Sequence, residues 1–310
     1  MLKRQLVEMK KRTGGDGIET IHDENQYLNL ISDVLDYGFL ETGRNGDTMA
    51  VFGAAMHFSL ENNLIPLLTT KKVAWKTCLK ELLWFINGST DNSLLQSQNV
   101  KIWDGNASRE FLDSQGLHTL QENDLGPVYG HQWRHYNAPY ETCKDNYDGK
   151  GVDQLKNIIE ILRDPEKRTS RRIVLSAWNP GQLNEMALPP CHILCQFNVF
   201  QGNKLSCSMY QRSGDIGLGV PFNIASYSLL THIIAHQCDL IPTEFIYFLG
   251  NAHIYDDHIE CLKTQILRAP NSFPTLEIIN KPDSFDGYKV EDFKVNNYEC
   301  HPAVAMVMRK

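Results

Sequence analysis

The chain has 310 residues, 42% of them hydrophobic, enough for one large domain or two modest ones around a sizeable core, which excludes disorder over most of its length. Lys and Arg number 30 against 37 Asp and Glu, a formal charge of −7, so electrostatics give no general attraction to nucleic acid or an anionic membrane, and an anionic ligand must find a local basic cluster. No apolar run reaches the roughly 18 residues that a spanning helix needs, and the eight cysteines include no Cys-x-x-Cys pair, so reduced thiols in a cytoplasmic compartment are expected.

The first 22 residues carry Lys3, Arg4, Lys10, Lys11 and Arg12, then Gly14, Gly15 and Gly17. With no apolar periodicity to support packing, residues 1–22 read as a mobile basic arm ahead of a single domain over 23–310. Glu8 and Asp16 argue against a mitochondrial presequence. From Asp23, read as an N-cap, Tyr27, Leu30, Ile31, Val34 and Leu35 recur at helical spacing until Gly38. Residues 73–86 predict a second helix, apolar through Trp75, Cys78, Leu79, Leu82, Leu83 and Ile86, and therefore deeply buried. Polar, turn-rich residues 137–151 read as a surface insertion, and a third helix follows over 152–163 with Pro165 beyond its end.

The period then changes. Residues 172–178 predict a strand, and 192–200 with 204–212 predict a long hairpin around Gly202 and Asn203. Pro221 opens a nearly all-apolar helix running to Cys238, placed in the interior. Short strands over 245–249, 276–280 and 293–298 flank a further helix over 256–268. The pattern is α+β, with no repeat and no Pro/Gly/Ser linker to divide it.

Cys191 follows Pro189 and Pro190 and precedes His192. The rigid Pro-Pro lead fixes one side chain, and nearby cations turn a cysteine into a nucleophile; Arg171, Arg172 and Arg212 are expected on neighbouring strands. The plain alternative is a small buried apolar residue. Adjacent in a strand, Arg171 and Arg172 project to opposite faces, so both serve one site only if a pair reaches into a partner's site. Arg212, Ser213 and the following Gly-rich turn suit a phosphate monoester, although such turns are also common surface features. Glu81 lies inside the most apolar helix, so it is paired, reaches solvent, or is held with a raised pKa for proton transfer. Asn223 at the start of the interior helix is either a cap or, facing a cleft, a donor and acceptor side by side that match O4 and N3–H of uracil. His232 and His236 stand at i and i+4, and His253 and His258 are close in sequence, but no third ligand is indicated and packed or rim histidines are the simpler reading. No Walker or Rossmann motif occurs.

The strings ELLWFINGST, DLGPVYGHQWRH, SRRIVLSAWN, PPCH and QRSGDIGLGVPFNIASY, in this order and covering nearly all of the chain after about residue 23, closely resemble the thymidylate synthase family. The resemblance implies a large mixed β-sheet with a buried central helix, and methylation of dUMP to dTMP by 5,10-methylenetetrahydrofolate as carbon and hydride donor, with no metal or nicotinamide. It implies that Cys191 adds as thiolate to C6 of uracil, and that Arg212 with Arg44 and Ser213 holds the phosphate. The resemblance further implies that Arg171 and Arg172 come from the other subunit of an obligate homodimer. Glu81 with Tyr129 and Asn223 moves protons around O4 and C5, and Asn223 selects uracil. His253 and Tyr255 bind the ribose, while His192, Gln211 and Gly214 complete the nucleotide site. Asp215 meets the pterin between Ile102, Trp103, Leu218, Gly219 and Phe222, and Lys71 meets the folate tail. Ala74, Asn106 and the SREFLD insertion resemble eukaryotic members. The family commonly ends in a small apolar residue that helps close the site, whereas Met306, Val307, Met308, Arg309 and Lys310 stand here, so closure is expected to differ. The nearest rival on this scaffold is a pyrimidine hydroxymethylase acting on dCMP, which Asn223 disfavours. A Cys191–His192 hydrolase is disfavoured because adjacent strand residues point apart. RNA binding has no support beyond the basic arm.

Overall fold

A computed structural model describes residues 21–43 and 45–309. The predicted arm thus falls almost wholly outside the described residues, as do Arg44 and Lys310. After helix α1 (Asn25–Tyr37) come strands β1 (Phe39–Gly43) and β2 (Gly46–Ser59), then helices α2 (Trp75–Ile86), α3 (Asn92–Gln96), α4 (Asp104–Ala107), α5 (Arg109–Ser114), α6 (Tyr129–His135) and α7 (Gln154–Arg163). Strand β3 (Val174–Ser176) and the hairpin of β4 (His192–Phe200) and β5 (Lys204–Asp215) lead into helix α8 (Gly219–Gln237) and strand β6 (Ile241–Tyr255). Helix α9 (Ile259–Gln265) and strands β7 (Thr275–Ile278) and β8 (Phe293–Asn296) complete the chain. No described helix is long and apolar enough to cross a membrane.

The main sheet has the order β1-β2-β6-β5-β4-β3. Its neighbours are antiparallel except β5 and β6, which run parallel, so the expected mixed sheet is present. A parallel pair needs a crossover, and α8 supplies it. That is why α8 is apolar around its circumference: Ile224, Leu229, Leu230, Ile233 and Ile234 are all buried, and the helix packs on β5, β6 and α2. On the sheet face beneath it, Cys195, Met209, Tyr247 and Met56 lie in register across β4, β5, β6 and β2, all buried. The opposite face alternates outward: Leu194, Tyr210 and Phe248, also in register, are 38%, 37% and 42% exposed.

Three expectations are corrected. Asp23 does not cap α1; its carboxylate accepts from the Ser59 amide instead. The strand expected over 172–178 shortens to β3, because its ladder begins only where Val174 meets Gln196; Arg171 and Arg172 sit in the preceding turn, exposed. The helix over 256–268 starts as a 3-10 turn and ends its α-helical part at Gln265. The β1–β2 hairpin was not legible as strands, and β6 is three times the expected five residues. Gly250, inside β6, is needed for close packing: a Cβ there would lie 2.6 Å from the Arg212 carbonyl oxygen.

Glu24, fully buried ahead of α1, accepts from the Thr69 and Thr70 amides at 2.8 Å each and from both hydroxyls at 2.6 Å each. It ties the first helix to the 69–71 segment. Glu24→Ala strands these donors and is expected to cost at least about 3 kcal/mol, read as a lowered urea midpoint; an unchanged midpoint would refute this anchoring role.

Candidate active site

Cys191 immediately precedes β4, and its setting is built by Arg212 on β5. The Arg212 amide donates to the Cys191 carbonyl at 2.8 Å, while its guanidinium donates to the carbonyls of Pro190 at 2.8 Å and Pro189 at 2.9 Å. The Pro-Pro lead therefore does more than stiffen the chain; it supplies the acceptors that hold the cation beside the sulfur. Trp178 flanks the same guanidinium at 5.9 Å. Burial pushes the Cys191 thiol up, and Arg212 only partly offsets this. Of the three arginines expected to favour the thiolate, Arg212 alone does so within this chain.

The amide of Cys191 donates to the hydroxyl of Tyr129, the first residue of α6, at 2.7 Å. The Tyr129 ring stacks on His192 with centroids 4.5 Å apart. His192 is engaged at both ring nitrogens, Nδ1 with the Tyr227 hydroxyl at 3.1 Å and Nε2 with the Asn223 amide at 3.0 Å. Burial and then Arg212 pull its pKa down to about 3, so the ring is neutral, and as an acceptor from Asn223 at Nε2 it donates from Nδ1 to Tyr227. With both nitrogens committed, it has no free position from which to serve Cys191 as a base. Asn223 itself lies within the first turns of α8, where Leu218 is the N-cap without a side-chain bond. Capping therefore does not explain Asn223, and its amide faces the site.

Glu81 on α2 accepts from the Trp103 indole at 2.7 Å. The surrounding protein pushes its pKa up to about 7, with Trp103 acting in the opposite direction. Of the three sequence alternatives, pairing to a neutral donor combines with the raised pKa. Trp84, Phe85 and Trp103 continue the aromatic wall to Tyr129.

On the strand β5 side, the Gln211 side chain is buried and fixed, accepting from the Tyr247 hydroxyl at 2.5 Å and donating to the Ser213 carbonyl at 2.8 Å. Ser213, Gly214 and Asp215 pair with Asn251, Ala252 and His253 of β6. Asp215 accepts from the Gly217 amide at 2.8 Å, His253 bonds Asn251 at 3.0 Å, and the Tyr255 ring stands 5.3 Å from His253. Ile102, Leu218, Gly219 and Phe222 are partly exposed, whereas Trp103 is buried. Lys71 is buried too, its ammonium donating to the Gly217 carbonyl and its pKa pulled to about 8 by burial. In this conformation it braces the 215–219 loop and does not extend into solvent. His232 and His236 bond the Leu64 carbonyl and the Tyr288 hydroxyl, and among the described residues no cluster of His, Cys, Asp or Glu could hold a metal.

Sequence reasoning missed Trp178 and Tyr227 as neighbours of Arg212 and His192. Tyr227 could have been found, since it stands four residues after Asn223 and so on the same helix face. Trp178 gave no separate signal, because its approach to Arg212 is tertiary.

A half-buried cysteine flanked by an arginine, a carboxylate titrating near neutrality and a carboxamide, at the start of a crossover helix, defines an enzyme built for nucleophilic addition and proton transfer. The family model described as Thymidylate synthase matches residues 25–310. The chain is 53% identical to the thymidylate synthase of Equine herpesvirus 2 (strain 86/87), covering 93% of this chain and 98% of the relative. It is 53% identical to the thymidylate synthase of Homo sapiens, covering 93% and 91%. The bifunctional dihydrofolate reductase-thymidylate synthase of Zea mays is 51% identical over 93% of this chain and 54% of its own length. The chain belongs to the thymidylate synthase family.

Trp103→Phe removes the donor that stabilises the Glu81 carboxylate, so the pKa of Glu81 is expected to rise above about 7. A pH titration by carboxyl ¹³C NMR reads this, and an unchanged or lowered midpoint would sink the assignment.

Proposed function

We propose that this protein carries out the reductive methylation of dUMP to dTMP, taking both the carbon and the hydride from 5,10-methylenetetrahydrofolate and releasing dihydrofolate. The observation that carries the reading is the linked chain of contacts from Arg212 through Cys191, Tyr129 and His192 to Asn223. Arg212 and Ser213, joined by Arg44, hold the phosphate, and the partner's copies of Arg171 and Arg172 complete the cluster. Cys191 loses its proton as its sulfur adds to C6, and the electron pair displaced from the C5–C6 double bond makes C5 nucleophilic toward the folate methylene carbon. Proton loss from C5 then expels tetrahydrofolate by breaking the bond between its nitrogen and the bridging carbon, which leaves an exocyclic methylene at C5; hydride transfer from tetrahydrofolate to that methylene completes the methyl group, expels the Cys191 sulfur from C6 and leaves dihydrofolate. Glu81, poised near neutrality, gives and takes the protons with Tyr129 and Asn223. Asn223 offers its carbonyl to N3–H and its amide to O4, a pattern that cytosine reverses. His253 and Tyr255 meet the ribose, with His192, Gln211 and Gly214 shaping the pocket behind it. Asp215 bonds the pterin, with Ile102, Trp103, Leu218, Gly219 and Phe222 as its walls, and Lys71 acts through the Gly217 carbonyl.

The open sheet face supports a homodimer. Leu194, Tyr210 and Phe248 expose an apolar band across three neighbouring strands, a surface suited to burial against a second copy, and Arg171 and Arg172 make no ion pair among the described residues. A reducing cytoplasmic setting suits the eight unpaired thiols. The division into a mobile arm, 1–22, and one catalytic domain, 23–310, is part of the same reading.

Mixing the protein with dUMP and methylenetetrahydrofolate is expected to raise dihydrofolate absorbance, and 5-fluoro-dUMP plus folate to give a covalent adduct that Cys191→Ala abolishes. Absence of both signals in the wild type refutes the reading. Asn223→Asp is expected to shift preference from dUMP toward dCMP, measured as relative kcat/KM. Phe248→Arg should convert the dimer to monomer in sedimentation velocity and lower activity with it; an active monomer would contradict the shared site.

A further inference from the structure

The segment 305–309 is fastened to the site from three directions. His258, fully buried after β6, donates from Nε2 to the Val307 carbonyl at 2.9 Å. Its other nitrogen, Nδ1, stands 3.6 Å from the Asp215 carboxylate without a hydrogen bond, and with Nε2 donating it attracts that carboxylate only as an imidazolium N–H, the form that Asp215 and the Val307 carbonyl favour against burial. Gly217 lies between the two layers: a Cβ there would fall 2.7 Å from His258 Nδ1 and 2.9 Å from Met306 Sδ. Arg309 then reaches back to Asp257 at 2.9 Å and Asp256 at 3.3 Å, with its guanidinium 5.8 Å from the Tyr255 ring. Cys261 adds a weak donor to the Ala305 carbonyl at 3.5 Å.

We propose that His258 and Arg309 are positioning residues that form a clamp: His258 joins the Asp215 carboxylate to the segment 305–309, and Arg309 locks that segment electrostatically onto Asp256 and Asp257. The clamp fixes the orientation of Asp215 and covers the 215–217 loop, so its effect falls on the folate and not on the nucleotide. Any side chain at Gly217 would separate the layers. The grip of Arg309 comes from two carboxylates and an aromatic face, which makes it sensitive to ionic strength. Only this assignment of folate to the Asp215 side rests on the reading proposed above.

The test compares full-length wild type, Arg309→Ala, Arg309→Lys and His258→Phe. Arg309→Ala is expected to raise the KM for methylenetetrahydrofolate about two- to fivefold, in keeping with exposed ion pairs, with the KM for dUMP unchanged. Added salt should raise the wild-type value toward that of the variant, and Arg309→Lys should restore most of the loss. His258→Phe, which keeps the ring volume and removes both polar contacts, is expected to raise the folate KM by about tenfold. Amide exchange at Val307 and Met308 should quicken in Arg309→Ala and His258→Phe without folate present. If the wild type converts dUMP while both variants retain its folate KM, or raise the dUMP KM equally, the clamp is wrong. A wild type that makes no dTMP would refute the proposed reaction instead, and unchanged exchange in the variants would then refute the clamp independently.

Discussion

The parallel pairing of β5 with β6 is the constraint on which the rest of the molecule depends. Two adjacent parallel strands cannot be joined by a turn, so the chain must cross from the end of β5 back to the start of β6. It does so as α8, through the interior against the sheet and α2. A helix placed there has no solvent face, which explains its nearly unbroken apolar sequence. The same path delivers its first turns, carrying Phe222 and Asn223, to the end of β5 where Arg212, Ser213 and Asp215 stand. The site lies where strand ends and the crossover begins because the connection requires both to be there.

Around that junction, the polar groups are held by one another and by backbone. Arg212 is fastened by the Pro189 and Pro190 carbonyls, Asn223 by His192, His192 by Tyr227, and Gln211 by Tyr247. Each contact removes a rotational freedom that a reacting complex would otherwise have to remove. The cost falls on the titratable groups. Burial pushes the Cys191 thiol and the Glu81 carboxylate toward their neutral forms, which leaves one proton to be released from the nucleophile and another group able to exchange protons near neutrality. The charge balance of the whole chain, acidic by 7, plays no part in this; the local field of Arg212 does.

The two faces of the sheet divide the remaining work. One buries Met56, Cys195, Met209 and Tyr247 beneath α8 and carries the stability of the domain. The other leaves Leu194, Tyr210 and Phe248 in solvent, with the turn bearing Arg171 and Arg172 near its edge strand. At the far end of β6, Tyr255 leads directly into Asp256, Asp257 and His258, so the strand that forms the floor of the site also carries the anchors of the segment 305–309.

Much of this was legible in the sequence, for identifiable reasons. The apolar stripe of α2, the β4–β5 hairpin around Gly202 and Asn203, and the interior character of α8 are local or periodic patterns, and periodicity is written in the order of residues. The strings around Cys191, Asn223 and Asp215 carried the family resemblance, which the match over residues 25–310 bears out. The sequence could not fix features that arise between distant segments. It misplaced Arg171 and Arg172 on a strand, because the start of a ladder depends on which partner is alongside. It gave no sign that β6 must carry a glycine at 250, which the Arg212 carbonyl, nearly forty residues earlier in the chain, demands. It left capping open for Asn223, whose amide meets His192, and gave no sign that the Gly217 carbonyl holds Lys71. Residue order determined the elements and the chemical inventory; tertiary structure alone decided which groups meet, because hydrogen bonding and desolvation act across space and not along the chain.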